Sequence, residues 1–305
     1  MICHLPSPNA AKAWCDTQRS QGRSVGFVPT MGALHLGHLS LVERARVEND
    51  TCCVSIFVNP LQFDNPADYN TYPRDLQADL TTLQAQGCAM VFVGSLGQFF
   101  PEITDPQEIK TLGAGRHGDG LEGTFRPGHL DGVRTIIDRL FRTVGPAHAY
   151  FGEKDFQQTL VVAELAAEIG YPQVVVCPTV RDEFGLALSS RNALLSPPEK
   201  KQAHSIYQAL LAAHQAWTTG EHQPKTLANI MVEILEDTDL GVEYAEVRDP
   251  TAWTAAMPDV PLQQAQALIA ARIGRVRLID TLRLDAHHAD ETASVAQAAQ
   301  AGSGR

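Results

Sequence analysis

The sequence predicts an α/β protein: a Rossmann-like, open, mostly parallel sheet domain followed by a smaller C-terminal α+β domain. Three observations carry this. Short apolar runs alternate with segments of helical periodicity from about Val25 to Cys177, the rhythm of βαβ units. Thr51–Val58 is almost wholly apolar, which suits a strand covered on both faces of a parallel sheet. After about Asn192 the alternation stops, and two helical segments precede two strands joined at Gly274.

Each element has a local reason. Ser7-Pro8 is a cap followed by proline in the first turn, so a helix starts there and runs to about Gln18. Val25–Val28 is a strand ending at Pro29, and Gly37–Val47 is helical through Leu39, Val42 and Ala45 or Arg46. The apolar strand from Thr51 stops at Asn59-Pro60. Pro73–Gln86 reads as a helix closed by Gly87, with a strand at Ala89–Val93. Gly128–Phe141 is a helix with Val133, Ile136, Ile137, Leu140 and Phe141 on its apolar face. Ala147–Phe151, Asp155–Ile169 and Val174–Cys177 complete the alternation. In the second part, Ser196-Pro197-Pro198-Glu199 is a capping box opening a long helix. Pro224–Leu235 is helical, and Tyr244–Val247, Ala267–Ala271 and Val276–Ile279 are strands. The expected domains are 1–184 and 185–285, with a loose tail over 286–305 that has few groups to bury.

The formal net charge of −11 disfavours non-specific nucleic-acid binding. No basic start followed by an apolar run appears at Met1–Pro6, and no apolar stretch spans a bilayer. A cytoplasmic protein without membrane or nucleic-acid partners is expected. The six cysteines form no C-x-x-C pair, so they are expected to be structural thiols and not a zinc or redox site.

Three polar clusters follow predicted strands, where open parallel sheets bind ligands. Pro29-Thr30-Met31-Gly32-Ala33-Leu34-His35-Leu36-Gly37-His38 ends at a helix start, whose N–H groups favour phosphate. His35 and His38 can donate to it from one turn; ordinary loop histidines or a metal pair are the alternatives. Gly152-Glu153-Lys154-Asp155 offers a cation for phosphate and a carboxylate for a ribose hydroxyl, with Gln158 one turn beyond; plain helix capping is the alternative. Leu188-Ser189-Ser190-Arg191 gathers two hydroxyls and a guanidinium, able to clamp a polyphosphate or to act as a polar hinge. A G-x-G-x-x-G occurs at Gly113–Gly118, but it follows no strand and opens no helix, so it reads as a mobile loop. No Walker A sequence is present. The chemistry these clusters support is phosphoryl or nucleotidyl transfer.

Over about residues 20–285 the chain resembles the pantoate–β-alanine ligases, also called pantothenate synthetases. The resemblance rests on Val28–His38, Ser55–Phe63, Leu121-Glu122-Gly123, Arg126-Pro127-Gly128-His129, Phe151–Gln158 and Leu188–Asn192. It implies ATP-dependent condensation of (R)-pantoate with β-alanine through a pantoyl adenylate, with Mg²⁺, in a homodimer joined by N-terminal domains. The second domain is implied as a movable cover. His38 and His35 are implied as phosphate-contacting donors, Lys154, Ser189, Ser190 and Arg191 as the polyphosphate grip, and Val180 as an adenine contact. Gln62 and Gln158 are implied as the pantoate-holding pair, with Asn59, Tyr72, Asp79 and Arg126 in the substrate region. Phe184 and Leu130-Asp131 depart from the family's usual residues. Other H-x-G-H nucleotidyltransferases, or a silent nucleotide-binding protein, are the competing readings.

Overall fold

The computed structural model describes residues 2–105 and 108–286. Of the expected loose tail, residues 287–305 lie outside them.

The first compact unit comprises 1–152 and 156–177. Its strands are β1 (Cys3–Leu5), β2 (Val25–Thr30), β3 (Thr51–Ile56), β4 (Met90–Val93), β5 (His148–Gly152) and β6 (Gln173–Cys177). They form one parallel sheet in the order β1-β4-β3-β2-β5-β6. From β2 the chain builds outward through β3 and β4, then returns to place β5 on the other side. The order therefore reverses between β2 and β5, and the crevice at their carboxyl ends is where such sheets hold ligands.

Alternate side chains feed two cores. Phe27, Cys53, Phe92 and Ala149 pack with α1 (Pro8–Ser20), α7 (His129–Val144) and α8 (Phe156–Ile169). Val28, Cys52, Val54, Val91 and Tyr150 pack with α2 (Leu36–Glu48) and α4 (Leu76–Ala85). The cysteines are free thiols, and five of the six are buried, as structural residues would be.

Several boundaries differ from the sequence reading. β2 continues through Pro29 to Thr30, because β5 pairs only with Gly26 and Phe27 and leaves no ladder there for proline to break. The helix expected from Pro73 starts at Leu76 as α4, where Asp75 caps it by accepting from Ala78, and a separate α3 (Pro66–Thr71) precedes it, capped by Asn65 accepting from Ala67. Short helices α5 (Leu96–Phe99) and α6 (Leu121–Phe125) lie below the length at which periodicity shows.

The second unit comprises 178–286 together with 153–155. Helices α9 (Pro197–Thr218) and α10 (Pro224–Glu236) bury Ile206, Leu210, Leu227 and Met231 against the antiparallel sheet β7 (Gly241–Arg248), β8 (Gln266–Ile273), β9 (Val276–Arg283). Ser196 and Glu199 make the expected capping box. The division falls after Cys177, ahead of the expected Phe184, because Arg181 is buried in the second unit. Its guanidinium meets Asp280 at 2.5 Å and the Thr281 carbonyl at 3.1 Å, and lies over the Tyr207 ring.

Candidate active site

The loop after β2 is held open by two anchors. The Thr30 hydroxyl donates to the Ser55 carbonyl at 2.8 Å and accepts from Gly32 N–H. Gly32 and Ala33 both have positive φ, +79° and +51°, a strained turn for alanine. Asp79 on α4, buried to 6% exposure, stabilises it: its two oxygens accept from Ala33 N–H at 3.0 Å and Leu34 N–H at 2.9 Å. A Cβ on Gly32 would sit 2.8 Å from that carboxylate, so only glycine fits. Asp79, expected in the substrate region, thus holds the loop in shape.

At the loop's end His35 caps α2. Its Nδ1 accepts from Gly37 N–H at 3.2 Å, while His38 Nδ1 accepts from His35 N–H at 3.3 Å. This is a capping box in which both side chains are imidazoles, their rings 4.0 Å apart. An accepting Nδ1 carries no proton, so each neutral ring has its hydrogen on Nε2. The backbone thereby fixes two neighbouring side-chain donors, with the two half-buried rings at a helix N-terminus.

The strand-end loop after β3 meets this one. Asn59 is 1% exposed; its Oδ1 accepts from Leu61 N–H, which orients its amide. Its Nδ2 then donates to Gln62 Oε1 and to the Gly132 carbonyl, both at 3.1 Å. With Oε1 engaged, Gln62 presents Nε2, 3.1 Å from Met31 Sδ. Sulfur is a weak acceptor, so this is a donor ready to exchange for a better one. Asn59 therefore orients Gln62. The loop runs so close to α7 that a Cβ on Gly132 would lie 1.9 Å from the Leu61 carbonyl oxygen.

Arg126 holds the same loop. It donates to the Gln62 carbonyl at 3.3 Å, pairs with Asp64 and Glu122 at 3.4 and 3.6 Å, and faces His129 Nε2 at 3.0 Å. Tyr72 is 6% exposed and edge-on to Phe63. Gln158, on the first turn of α8, is half-buried and makes no side-chain hydrogen bond among the described residues. Its neighbour Gln157, by contrast, is buried and fully engaged: its amide nitrogen donates to the carbonyls of His117, Asp119 and Gly120, and its oxygen accepts from Glu122 N–H.

The glycine-rich segment is therefore no loose loop. Leu112 N–H and Ala114 N–H bond Thr135 and Asp131 of α7, each at 2.7 Å, and His117 is buried against Glu164 of α8. Asp131, one of the residues departing from the family's usual pattern, has this strap as its partner. Gly123 packs on the Gly118 carbonyl, where a Cβ would come within 1.7 Å. The strap delivers Glu122, Arg126 and His129 to the Gln62 loop. Single side chains gave no signal of this, since the contacts join backbone to residues many positions away.

The second unit carries the remaining cluster. Glu153-Lys154-Asp155 forms a short 3-10 turn, Lys154 half-buried and Asp155 exposed. The Val180 carbonyl accepts from Leu188 N–H at 2.9 Å, closing a loop in which Asp182 Oδ1 accepts from Phe184 and Leu186 N–H. Ser189 caps the turn Ser190–Leu194 by accepting from Arg191 N–H, so Ser190 and Arg191 lie on a backbone of defined shape. Burial alone would raise the Asp182 carboxyl; the two amides and Lys200 outweigh it and hold it below the usual range. Phe184, the other departure, is exposed and stacks on His204.

The sequence pattern of the Pantoate-beta-alanine ligase family matches residues 4–283. Pantothenate synthetase of Herpetosiphon aurantiacus is 40% identical over 267 residues, 87% of this chain and 95% of its own. That of Aquifex aeolicus is 41% identical, over 88% and 93%. The crystal structure of pantothenate synthetase from Thermus thermophilus superposes with a TM-score of 0.83 at 39% identity, covering 93% of this chain and 99% of that one. Pantoate-beta-alanine ligase from Francisella tularensis, in complex with beta-gamma ATP and beta-alanine, gives 0.72 at 31% identity over 94% and 99%. The chain belongs to the pantoate–β-alanine ligase family.

Proposed function

We propose that this protein ligates pantoate and β-alanine at the expense of ATP, through a pantoyl adenylate. The observation that carries the site reading is the meeting of the Gln62 amide with Met31, on the loop that leads to the His35–His38 capping box. A donor for an acid's oxygens and two donors for phosphate then share one crevice at the reversal of strand order.

In the first step a pantoate carboxylate oxygen bonds to the ATP α-phosphorus, and the bond to the bridging oxygen breaks, releasing diphosphate. Gln62 and Gln158 hold the acid by neutral amide donors, which add no competing charge. His35 and His38 donate through Nε2 to oxygens that gain charge in the transition state, and the α2 N-terminus adds its dipole. Lys154, Ser189, Ser190 and Arg191 neutralise the leaving diphosphate; Asp155 and Val180 contact the nucleoside. In the second step the β-alanine amine attacks the acyl carbon, the acyl–oxygen bond breaks, AMP leaves and the amine loses a proton. Mg²⁺ is assigned to the ATP phosphates, which supply hard oxygen ligands. Among the described residues no group of three His, Cys, Asp or Glu is placed to hold a metal ion. The cytoplasmic reading rests on the sequence; no helix of the described residues is long and apolar enough to cross a membrane. The homodimer through first units and the covering role of the second rest on the family resemblance.

The test is pantoate-dependent exchange of labelled diphosphate into ATP without β-alanine. Exchange is expected; its absence in protein that binds ATP and Mg²⁺ would sink the adenylate route.

A further inference from the structure

The strap from the glycine-rich segment and the Gln62 loop meet at one imidazole. His129, at the start of α7, is 7% exposed. Its Nδ1 lies 2.7 Å from the Gln62 carbonyl oxygen and its Nε2 lies 3.0 Å from Arg126 Nη1. A carbonyl oxygen only accepts and a guanidinium only donates. The ring therefore carries its proton on Nδ1 and is neutral, with Nε2 accepting from Arg126. A second proton on Nε2 would set two donors and two positive charges against each other.

We propose that His129 is a positioning residue for pantoate: in its Nδ1–H form it fixes the Gln62 main chain, and through it the amide that receives the acid. Arg126 selects that form by donating to Nε2. The Gln62 carbonyl is thus held at 2.7 Å by His129, and by Arg126 at the longer 3.3 Å, while Asn59 holds the other end of the residue at Oε1. Only Nε2 of Gln62 is left to redirect. A loop between strand and helix has no ladder of its own to set its height, so this pair of clamps supplies it. The inference rests on the reading of Gln62 as a pantoate-holding residue.

Asparagine and glutamine separate the two ring nitrogens, since Asn Nδ2 can stand near Nδ1 and the Gln amide near Nε2. Diphosphate exchange is measured against pantoate and ATP concentration in the full-length enzyme. His129→Gln, which loses the donor to Gln62, is expected to raise the pantoate KM about tenfold, the worth of one hydrogen bond. The ATP KM should stay within about twofold and His129→Asn within about threefold of wild type. Equal damage by both variants, or equal shifts in both KM values, overturns the positioning role. In a Gln62→Ala background His129→Gln should add nothing; a further tenfold rise also overturns it. Gln62→Ala itself separates the two claims. If it leaves the pantoate KM unchanged, the underlying reading fails; if it raises it while His129→Gln does not, only the present inference fails. Nitrogen-15 NMR of histidine-labelled wild type, with the His129 signal identified by its loss in His129→Asn, tests the tautomer without relying on a folded glutamine variant. A proton on Nδ1 is expected, and one on Nε2 alone overturns the assignment.

Discussion

Replacing Gly132 by alanine would put a methyl group where the Gln62 loop crosses α7. That carbon would stand 1.9 Å from the Leu61 carbonyl oxygen, 2.3 Å from its carbon and 2.8 Å from the Gln62 nitrogen. Ordinary contact begins at 3.4 Å, so backbone must retreat by about 1.5 Å. Two energies compete in stability. Alanine in a helix interior gains roughly 1 kcal/mol over glycine, and overpacking costs about 1–3 kcal/mol. The net loss is at most about 2 kcal/mol, a fall in Tm of roughly 4–8 °C for a domain of about this size. Catalysis has no such compensation. A reacting group misplaced by about 1 Å costs on the order of 10²-fold. Gly132→Ala should therefore melt only slightly early and yet lose about 10²-fold in kcat/KM for pantoate in diphosphate exchange. Near-normal exchange in the folded variant would refute the claim that loop height sets pantoate placement. A collapse of the fold would show that the helix cannot yield as reasoned.

Further outcomes follow from other contacts. His38→Ala and Lys154→Ala should each depress adenylate formation by ~10²–10³-fold with unchanged circular dichroism; unchanged exchange in either removes that residue from the site. Asp79→Asn should cost about 1 kcal/mol in urea unfolding, because the amide presents one acceptor oxygen where two now serve Ala33 and Leu34 N–H, and one part-buried N–H loses its partner. A variant as stable as wild type would show that the loop has another anchor. Asp182 has its pKa depressed in the fold, so its contribution is present above the unfolded value of about 3.9 and is lost as pH falls through the folded one. Asp182→Ala should then be less stable than wild type by roughly 1 kcal/mol at pH 7, solvent screening holding the loss to the low end for charged hydrogen bonds. The gap should close below about pH 4. A gap independent of pH would contradict the assignment.

What the sequence disclosed divides along a physical line. Strands such as Thr51–Ile56 and helices such as His129–Val144 announce themselves because burial repeats along the chain. That Pro29–His38 and Gly152–Gln158 follow strands was legible because apolar runs mark where strands end, and the sheet order sets those strands, β2 and β5, side by side. Asp79, Asn59 and Arg126 could be named, but not the protein groups that each of them holds. Each hides its partners far away in sequence: Asp79 reaches back to Ala33, and Arg126 to Asp64 and Gln62. Gln157 and Asp131 gave no local cue at all, since a buried amide clasping backbone carbonyls looks, in one dimension, like any polar residue on a helix. His129 lay inside a recognised motif, yet its role depends on which ring nitrogen meets which atom.

The turn Glu153–Asp155 has a consequence for exchanging parts between relatives. It groups with residues 178–286, although β5 precedes it and α8 follows it in the chain. A chimera that transplants the segment after Cys177 as a cassette would leave this tripeptide, with Lys154, in the recipient. The imported sheet would then meet a foreign turn. Modularity here is three-dimensional but not linear, and a working graft must carry three residues that no cut after Cys177 can include.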